Sequence, residues 1–176
     1  MEPETLIRYK LILFGDEAVG KTSLVNRFVN DKFEQNYIST LGYNVYEKRF
    51  SFGDYIVSLM IYDVGGQERF AELRKRYAEG ANTALLVYDV TNETSFNNLE
   101  KWAGELYRYV GALPFVILGN KNDLVDERKV DVFIGEKMSI DIGAVTFLET
   151  SAKTGINVER AFQILAFETL RSYIQP

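Results

Sequence analysis

Short apolar runs rich in branched and aromatic residues alternate with amphipathic stretches along the whole chain. "LIRYKLILF" (6–14), "ALLVYDV" (84–90), "PFVILGN" (114–120) and "TFLET" (146–150) read as strands. "YNVYEKRFSF" (43–52) and "YIVSLMIYD" (55–63) flank Gly53-Asp54, a dipeptide suited to a hairpin turn. Over 157–174 the residues Val158, Ala161, Phe162, Leu165, Ala166, Phe167, Leu170 and Tyr173 mostly follow the i, i+3, i+4, i+7 rule of a helix. Phe96, Leu99, Trp102, Leu106 and Tyr109 do the same over 94–110. Strands alternating with helices predict an α/β fold of three layers, a mostly parallel sheet covered on both faces with the hairpin adding an antiparallel edge strand. No internal repeat, linker or low-complexity segment interrupts the pattern, so 1–176 is expected to be a single domain. Ligands in such sheets bind beyond the carboxyl ends of the strands.

Composition narrows the chemistry. The chain of 176 residues contains no cysteine and no histidine. Disulfides, thiolate or imidazole metal sites and Cys- or His-based catalysis are therefore excluded. Catalysis must rely on carboxylates, amides, hydroxyls, Lys, Arg and bound metal. A formal charge of −5 argues against a nucleic-acid surface. No apolar run approaches the roughly 18 residues of a membrane span.

"GDEAVGKTS" (15–23) lies between a strand and a helix and fits G-x-x-x-x-G-K-[ST] as Gly15-x4-Gly20-Lys21-Thr22. The glycines let the backbone curl until successive N–H groups face phosphate oxygens, and the helix N-terminus adds its positive dipole end. Gly15, Glu17, Ala18, Val19, Gly20, Lys21, Thr22 and Ser23 are accordingly assigned to the nucleotide. Lys21 would reach the β- and γ-phosphates, and the Thr22 hydroxyl would bind Mg²⁺.

"NKND" (120–123) follows a strand directly. Guanine offers two adjacent donors, N1–H and the 2-amino group, and the Asp123 carboxylate can accept from both. Adenine offers neither. A site built on such pairing rejects the mismatched analogue by roughly 10⁴-fold or more. Asn120 would tie neighbouring loops, and the aliphatic stem of Lys121 would cover one face of the base. "ETSAK" (149–153) follows the next strand; its Ala152 N–H is placed to donate to guanine O6, with Ser151 and Lys153 as supports. The ligand read from these loops is a guanine nucleotide, GTP or GDP.

Between these motifs stands "DVGGQE" (63–68). Asp63 would hold Mg²⁺ through a water, the Gly66 N–H could donate to the γ-phosphate, and Gln67 would orient the attacking water. The catalytic assignment is thus Gln67, Gly66 and Lys21. "NYISTLGYN" (36–44) supplies Thr40, whose hydroxyl would complete the Mg²⁺ set of Thr22, Thr40 and Asp63 while the γ-phosphate is present. Phe33 could pack on the guanine, and Tyr37 is placed in the same site.

With these motifs in order, the chain resembles a Ras-superfamily small GTPase, most closely the Rab branch. "RYAEGANTALLVYDVTNETSFNNLEKW" and "ETSAKTGINVERAF" carry the likeness beyond the motifs. The resemblance implies a P-loop G domain with a six-stranded sheet and about five helices. It also implies a Mg-dependent switch that hydrolyses GTP slowly and presents about 33–45 and 63–77 to effectors. Rab-like regulation of trafficking or signalling, exchange factors and an activating protein that supplies an arginine come with it. Three departures stand out: "LGYNV" (41–45) replaces "IGVDF" so that Val45 stands for an aromatic, Tyr62 stands for a tryptophan, and "DVGGQ" replaces "DTAGQ". Effector identity is therefore not carried over.

Glu17 puts an acid in the phosphate loop, where it is expected to point to solvent. The opposing reading, repulsion of the γ-phosphate or obstruction of an incoming arginine, would make the protein a GTP-binding scaffold with little turnover. Gln67 speaks for hydrolysis, and "NKND" against a P-loop kinase or ATPase. Arg69, Arg74 and Arg76 show no route to the γ-phosphate. The end "ETLRSYIQP" carries no cysteine and no basic cluster, so the expectation is a cytoplasmic monomer with no direct membrane anchor in this chain. Membrane association would then need a further tail or a partner.

Overall fold

The computed structural model describes residues 5–36 and 39–175. Six strands form one sheet: β1 (Thr5–Phe14), β2 (Tyr43–Phe52), β3 (Tyr55–Val64), β4 (Thr83–Asp89), β5 (Phe115–Asn120) and β6 (Thr146–Glu149). Their order is β2-β3-β1-β4-β5-β6. Only the β2–β3 pair, joined at Gly53-Asp54, is antiparallel. The others run parallel.

The helices are α1 (Lys21–Asn30), α2 (Ala71–Ala78), α3 (Glu93–Asn97), α4 (Leu99–Val110), α5 (Val132–Asp141) and α6 (Val158–Ile174), with short 3-10 turns at Glu68–Phe70 and Val125–Glu127. The single helix expected over 94–110 is divided at Asn98. The division is slight, because Asn98 N–H donates to Thr94 and Trp102 N–H to Asn98, so the ladder runs through. Counted as one, α3 and α4 leave the five helices that the resemblance implies.

Alternation along β1 builds two cores. Leu11 and Leu13 face α1 and α6, packed with Leu24, Val25, Phe162 and Leu165. Ile12 and Phe14 face the other way, onto Phe96, Leu99, Trp102 and Leu106. Successive strand residues point to opposite faces, so a strand apolar at every position must be covered twice. Each such side chain, fully buried, contributes about 1.5–3 kcal/mol. Because β1 neighbours both β3 and β4, the strand order turns at its carboxyl end. That is where open α/β sheets bind ligands.

Candidate functional site

The loop leaving β1 is held in a shape that its glycines require. A Cβ on Gly15 (φ +154°) would lie 2.3 Å from the Val87 carbonyl oxygen, and one on Gly20 (φ +101°) 2.2 Å from Asn120 Nδ2. Strand β4 and the Asn120 side chain at the end of β5 therefore approach the phosphate loop too closely to leave room for a Cβ. Lys21 folds back inside it, and its Nζ donates to the carbonyls of Gly15 and Asp16, each at 2.7 Å. Burial lowers the Lys21 pKa to about 8, against the opposing pull of the Asp63 and Asp16 carboxylates. Among the described residues no side chain caps the start of α1, so its first N–H groups are left to an anion from outside the helix.

Next to the lysine stand three oxygen donors. Thr22 Oγ1 donates to Asp63 Oδ2 at 2.7 Å and is in direct contact with the Thr40 hydroxyl. Asp63 is fully buried, and among the described residues its Oδ1 has no partner. Burial raises its pKa, opposed by the Thr22 hydrogen bond and the charge of Lys21. One carboxylate and two hydroxyls are a hard donor set. It suits Mg²⁺, which keeps several waters and leans on phosphate oxygens. It does not suit an all-protein cage, and among the described residues no three acidic side chains come together so as to hold a metal ion.

The opposite end is built by the loops after β5 and β6. Asn120 is buried; its Nδ2 donates to the Val19 carbonyl at 3.0 Å and its Oδ1 accepts from Thr150 at 3.1 Å. The Lys121 ammonium donates to the Ala18 carbonyl at 2.8 Å and pairs with Asp89 at 2.8 Å. Its aliphatic stem is thereby laid along the cleft wall. Ser151 donates to Asp123 Oδ1 at 2.8 Å, which fixes the carboxylate. Arg27, which sequence reasoning missed, ties this end to α1 through the carbonyls of Ala152 (2.8 Å) and Lys153 (2.6 Å). Nothing local in "VNRFV" marks it, because its partners lie 125 and 126 residues away.

The segments around Thr40 and Gln67 meet over the phosphate loop. Gly65 N–H donates to the Gly42 carbonyl at 3.0 Å. A Cβ on Gly66 would lie 2.5 Å from the Gly15 oxygen and 2.8 Å from Lys21 Nζ. Gln67 Nε2 donates to Glu17 Oε1 at 2.6 Å and to Ser39 Oγ at 2.8 Å, and Ser39 donates to Glu17 at 3.1 Å. The expectation that Glu17 points to solvent is thus corrected: it is exposed, yet its carboxylate reaches across to both segments. Arg74 is buried behind Gln67, donating to the Gly65 (3.1 Å) and Gln67 (2.7 Å) carbonyls, with Glu105 at 3.5 Å and the Trp102 ring at 4.9 Å. One guanidinium nitrogen faces the two carbonyls and the other faces the Glu105 carboxylate. Asp16, also unanticipated, accepts from Trp102 Nε1 at 2.7 Å and Asn98 Nδ2 at 2.8 Å.

Together these elements enclose a cleft of about 550 Å³. Glu17, Ala18, Gly20, Lys21, Thr22 and Ser23 line it, as do Phe33, Thr40, Gly66, Gln67, Asn120, Lys121, Asp123, Ala152 and Lys153. Gly15, Val19, Asp63 and Ser151 stand behind that lining and hold it. Tyr37 lies outside the described residues. The volume falls within the roughly 300–1,000 Å³ usual for small-molecule sites.

A family model described as the Ras family matches residues 10–171. The chain is 40% identical over 163 residues to the GTP-binding protein ypt1 of Schizosaccharomyces pombe, covering 92% of this chain and 80% of that protein. It is 43% identical over 159 residues to the Ras-related protein Rab-8A of Bos taurus (90% and 76%). It is 42% identical over 166 residues to the Ras-related protein Rab7 of Drosophila melanogaster (92% and 80%). With the strand order, the phosphate loop and the paired segments above it, these likenesses show that the chain belongs to the Ras family, on its Rab side, and is a small GTPase that works as a GTP-binding switch.

Proposed function

We propose that the cleft holds GTP or GDP with its phosphates on 15–23 and its guanine between Lys121, Phe33 and the 150–153 loop. The observation that carries this reading is the convergence, at one cleft, of the carbonyl-held Lys21 ammonium, the Thr22–Thr40–Asp63 donor set and a Ser151-fixed Asp123. Asp123 accepts from N1–H and the 2-amino group, and Ala152 donates to O6. Thr22, Thr40 and Asp63 would hold Mg²⁺. When bound, the metal offsets charge on the phosphates.

In the hydrolytic step a water oxygen bonds to the γ-phosphorus as the bond to the bridging oxygen breaks, giving GDP and phosphate. The water's proton passes to phosphate oxygen. The residues mostly position. Lys21 and the Gly66 N–H hold the γ-phosphoryl oxygens, and Gln67 orients the water. Since the Arg74 guanidinium is buried and held by the Gly65 and Gln67 carbonyls and by Glu105, the arginine that speeds such reactions is supplied by an activating protein. An exchange factor restores GTP, and effectors of trafficking or signalling read the segments around Thr40 and Gln67. The whole of 1–176 acts as one small G domain, since both cores share one sheet. No helix of the described residues is long and apolar enough to cross a membrane.

Exchange of base specificity tests the reading. In Asp123→Asn, Ser151 still donates to the oxygen it now holds, which turns the new amide N–H₂ toward the base. Xanthine, with a carbonyl at position 2, accepts from it; guanine meets donor with donor and loses a charge-assisted pair of roughly 1.5–3 kcal/mol per bond. In competition titrations the variant should prefer xanthosine triphosphate to GTP, and the unaltered protein the reverse. A variant that still prefers GTP would remove Asp123 from the base site.

A further inference from the structure

Among the described residues, Glu17 is the one acidic side chain of the phosphate loop that bonds to both segments above it. Its Oε1 accepts from Gln67 Nε2 at 2.6 Å and from the Ser39 hydroxyl at 3.1 Å. Gln67 Nε2 carries two hydrogens. One is directed to Glu17 and the other to Ser39 Oγ at 2.8 Å, so both donors of the amide are engaged. The Gln67 backbone is equally fixed: Arg74 donates to its carbonyl at 2.7 Å, and Gly66 before it is pressed against Gly15 and Lys21. The side chain therefore leaves from a set point, and its near partner is a carboxylate. That bond is charge-assisted, stronger than one to a neutral acceptor.

We propose that Glu17 is a built-in brake on hydrolysis, a positioning residue that holds the Gln67 amide away from the water it must orient and ties Ser39 into the same bond. The inference rests on the reading of Gln67 as the water-orienting group. A γ-phosphate and the Glu17 carboxylate are like charges on the same loop, while Glu17 keeps the Gln67 amide and the Ser39 hydroxyl as its donors. Hydrolysis then requires the Glu17–Gln67 bond to open first. The brake sits in the chain and needs no partner. It lengthens the life of the GTP form, and a partner that draws Glu17 away would release it.

The test is a double-mutant cycle on the full chain, read by single-turnover GTP hydrolysis in Mg²⁺. Glu17→Ala should raise the rate about 3- to 10-fold, the range for loss of a partly exposed charge-assisted bond. Glu17→Gln, which keeps an acceptor and loses the charge, should fall between. In the Gln67→Leu background the Glu17→Ala gain should vanish, because there is no amide to release. A gain of equal size with and without Gln67 would overturn the proposal and leave only direct repulsion between carboxylate and phosphate. An unchanged or slower Glu17→Ala would overturn it as well. A second measurement does not depend on turnover. The Gln67 side-chain amide resonances, identified by their loss in Gln67→Leu, should move in Glu17→Ala; unmoved resonances would show that the contact does not form. A protein that binds no guanine nucleotide would sink the proposed function, while the resonances would still decide the contact.

Discussion

Lys21 is a buried ammonium held by two carbonyls, and its charge has a consequence for binding. Burial brings its pKa from 10.5 down to about 8. Phosphate oxygens would replace lost solvation with opposite charge, so the pKa in the complex lies above that of the free protein. Below pH 8 the lysine is already protonated and nucleotide affinity should be level. Above pH 8 binding must take up a proton, so affinity should fall toward tenfold per pH unit until the pKa of the complex is reached. Calorimetry at pH 8.5 in buffers of different ionisation enthalpy should show net proton uptake on binding GDP, and none at pH 6.5. Equal uptake at the two values would mean that Lys21 stays charged without phosphate beside it. Single residues also mark where the sequence is mute. "NKND" and "ETSAK" announce themselves because each sits at a strand end in a fixed order. The Glu17–Gln67 bond spans 50 residues, and Asp16–Trp102 spans 86, so neither leaves any spacing to read.

At the level of elements, strands were legible where both faces are buried, since continuous apolar runs admit few other readings. The two helices that give no such signal, α2 and α5, fail for opposite reasons. In α2, "AELRKRYA", the inward residues are the small Ala78 and a charged one, Arg74, tolerated because Glu105 and two carbonyls meet it. In α5, "VFIGEKMSID", the pattern is inverted: Phe133, Ile134 and Ile140 are exposed, while Gly135 and Ser139 are buried. A Cβ on Gly135 would come within 2.6 Å of both Phe147 and the Tyr88 hydroxyl, so only the smallest residue fits inward. The position of α2 matters for signalling. Through Arg74 it braces the carbonyls of Gly65 and Gln67, and through Gly65 the second segment holds Gly42 of the first. Ordering by a γ-phosphate should therefore spread across both segments and into the first turn of α2. Amide exchange compared between GDP and a non-hydrolysable GTP analogue should differ over 39–44 and 63–75 and stay level in α6 and β4. A flat difference map would show that this chain does not signal through these segments.

For the molecule as a whole, the cleft is where distant parts of the sheet are joined. Loops after β1, β3, β5 and β6 meet there, and residues on both sides of the sheet fix them: Arg27 from α1 on one face, Trp102 and Glu105 from α4 on the other. A ligand that spans those loops is bound by the folded chain and not by the unfolded one, so its binding free energy adds to stability. GDP with Mg²⁺ at 1,000 times its dissociation constant should add about 4 kcal/mol. For a chain of this length each kcal/mol is worth about 2–4 °C, so the midpoint of thermal unfolding should rise by about 8–16 °C. Chelating Mg²⁺ removes the charge that Thr22, Thr40 and Asp63 would hold against the phosphates. Most of that increment should then be lost, leaving a midpoint near that of the nucleotide-free protein. Thr22→Asn, whose amide cannot place its oxygen at the hydroxyl's distance, should start near the chelated value and respond little to EDTA. Scanning calorimetry of both proteins, with and without EDTA, makes the comparison. A midpoint that ignores chelation in the unaltered protein would mean that the donor set around Asp63 holds no metal when nucleotide is bound.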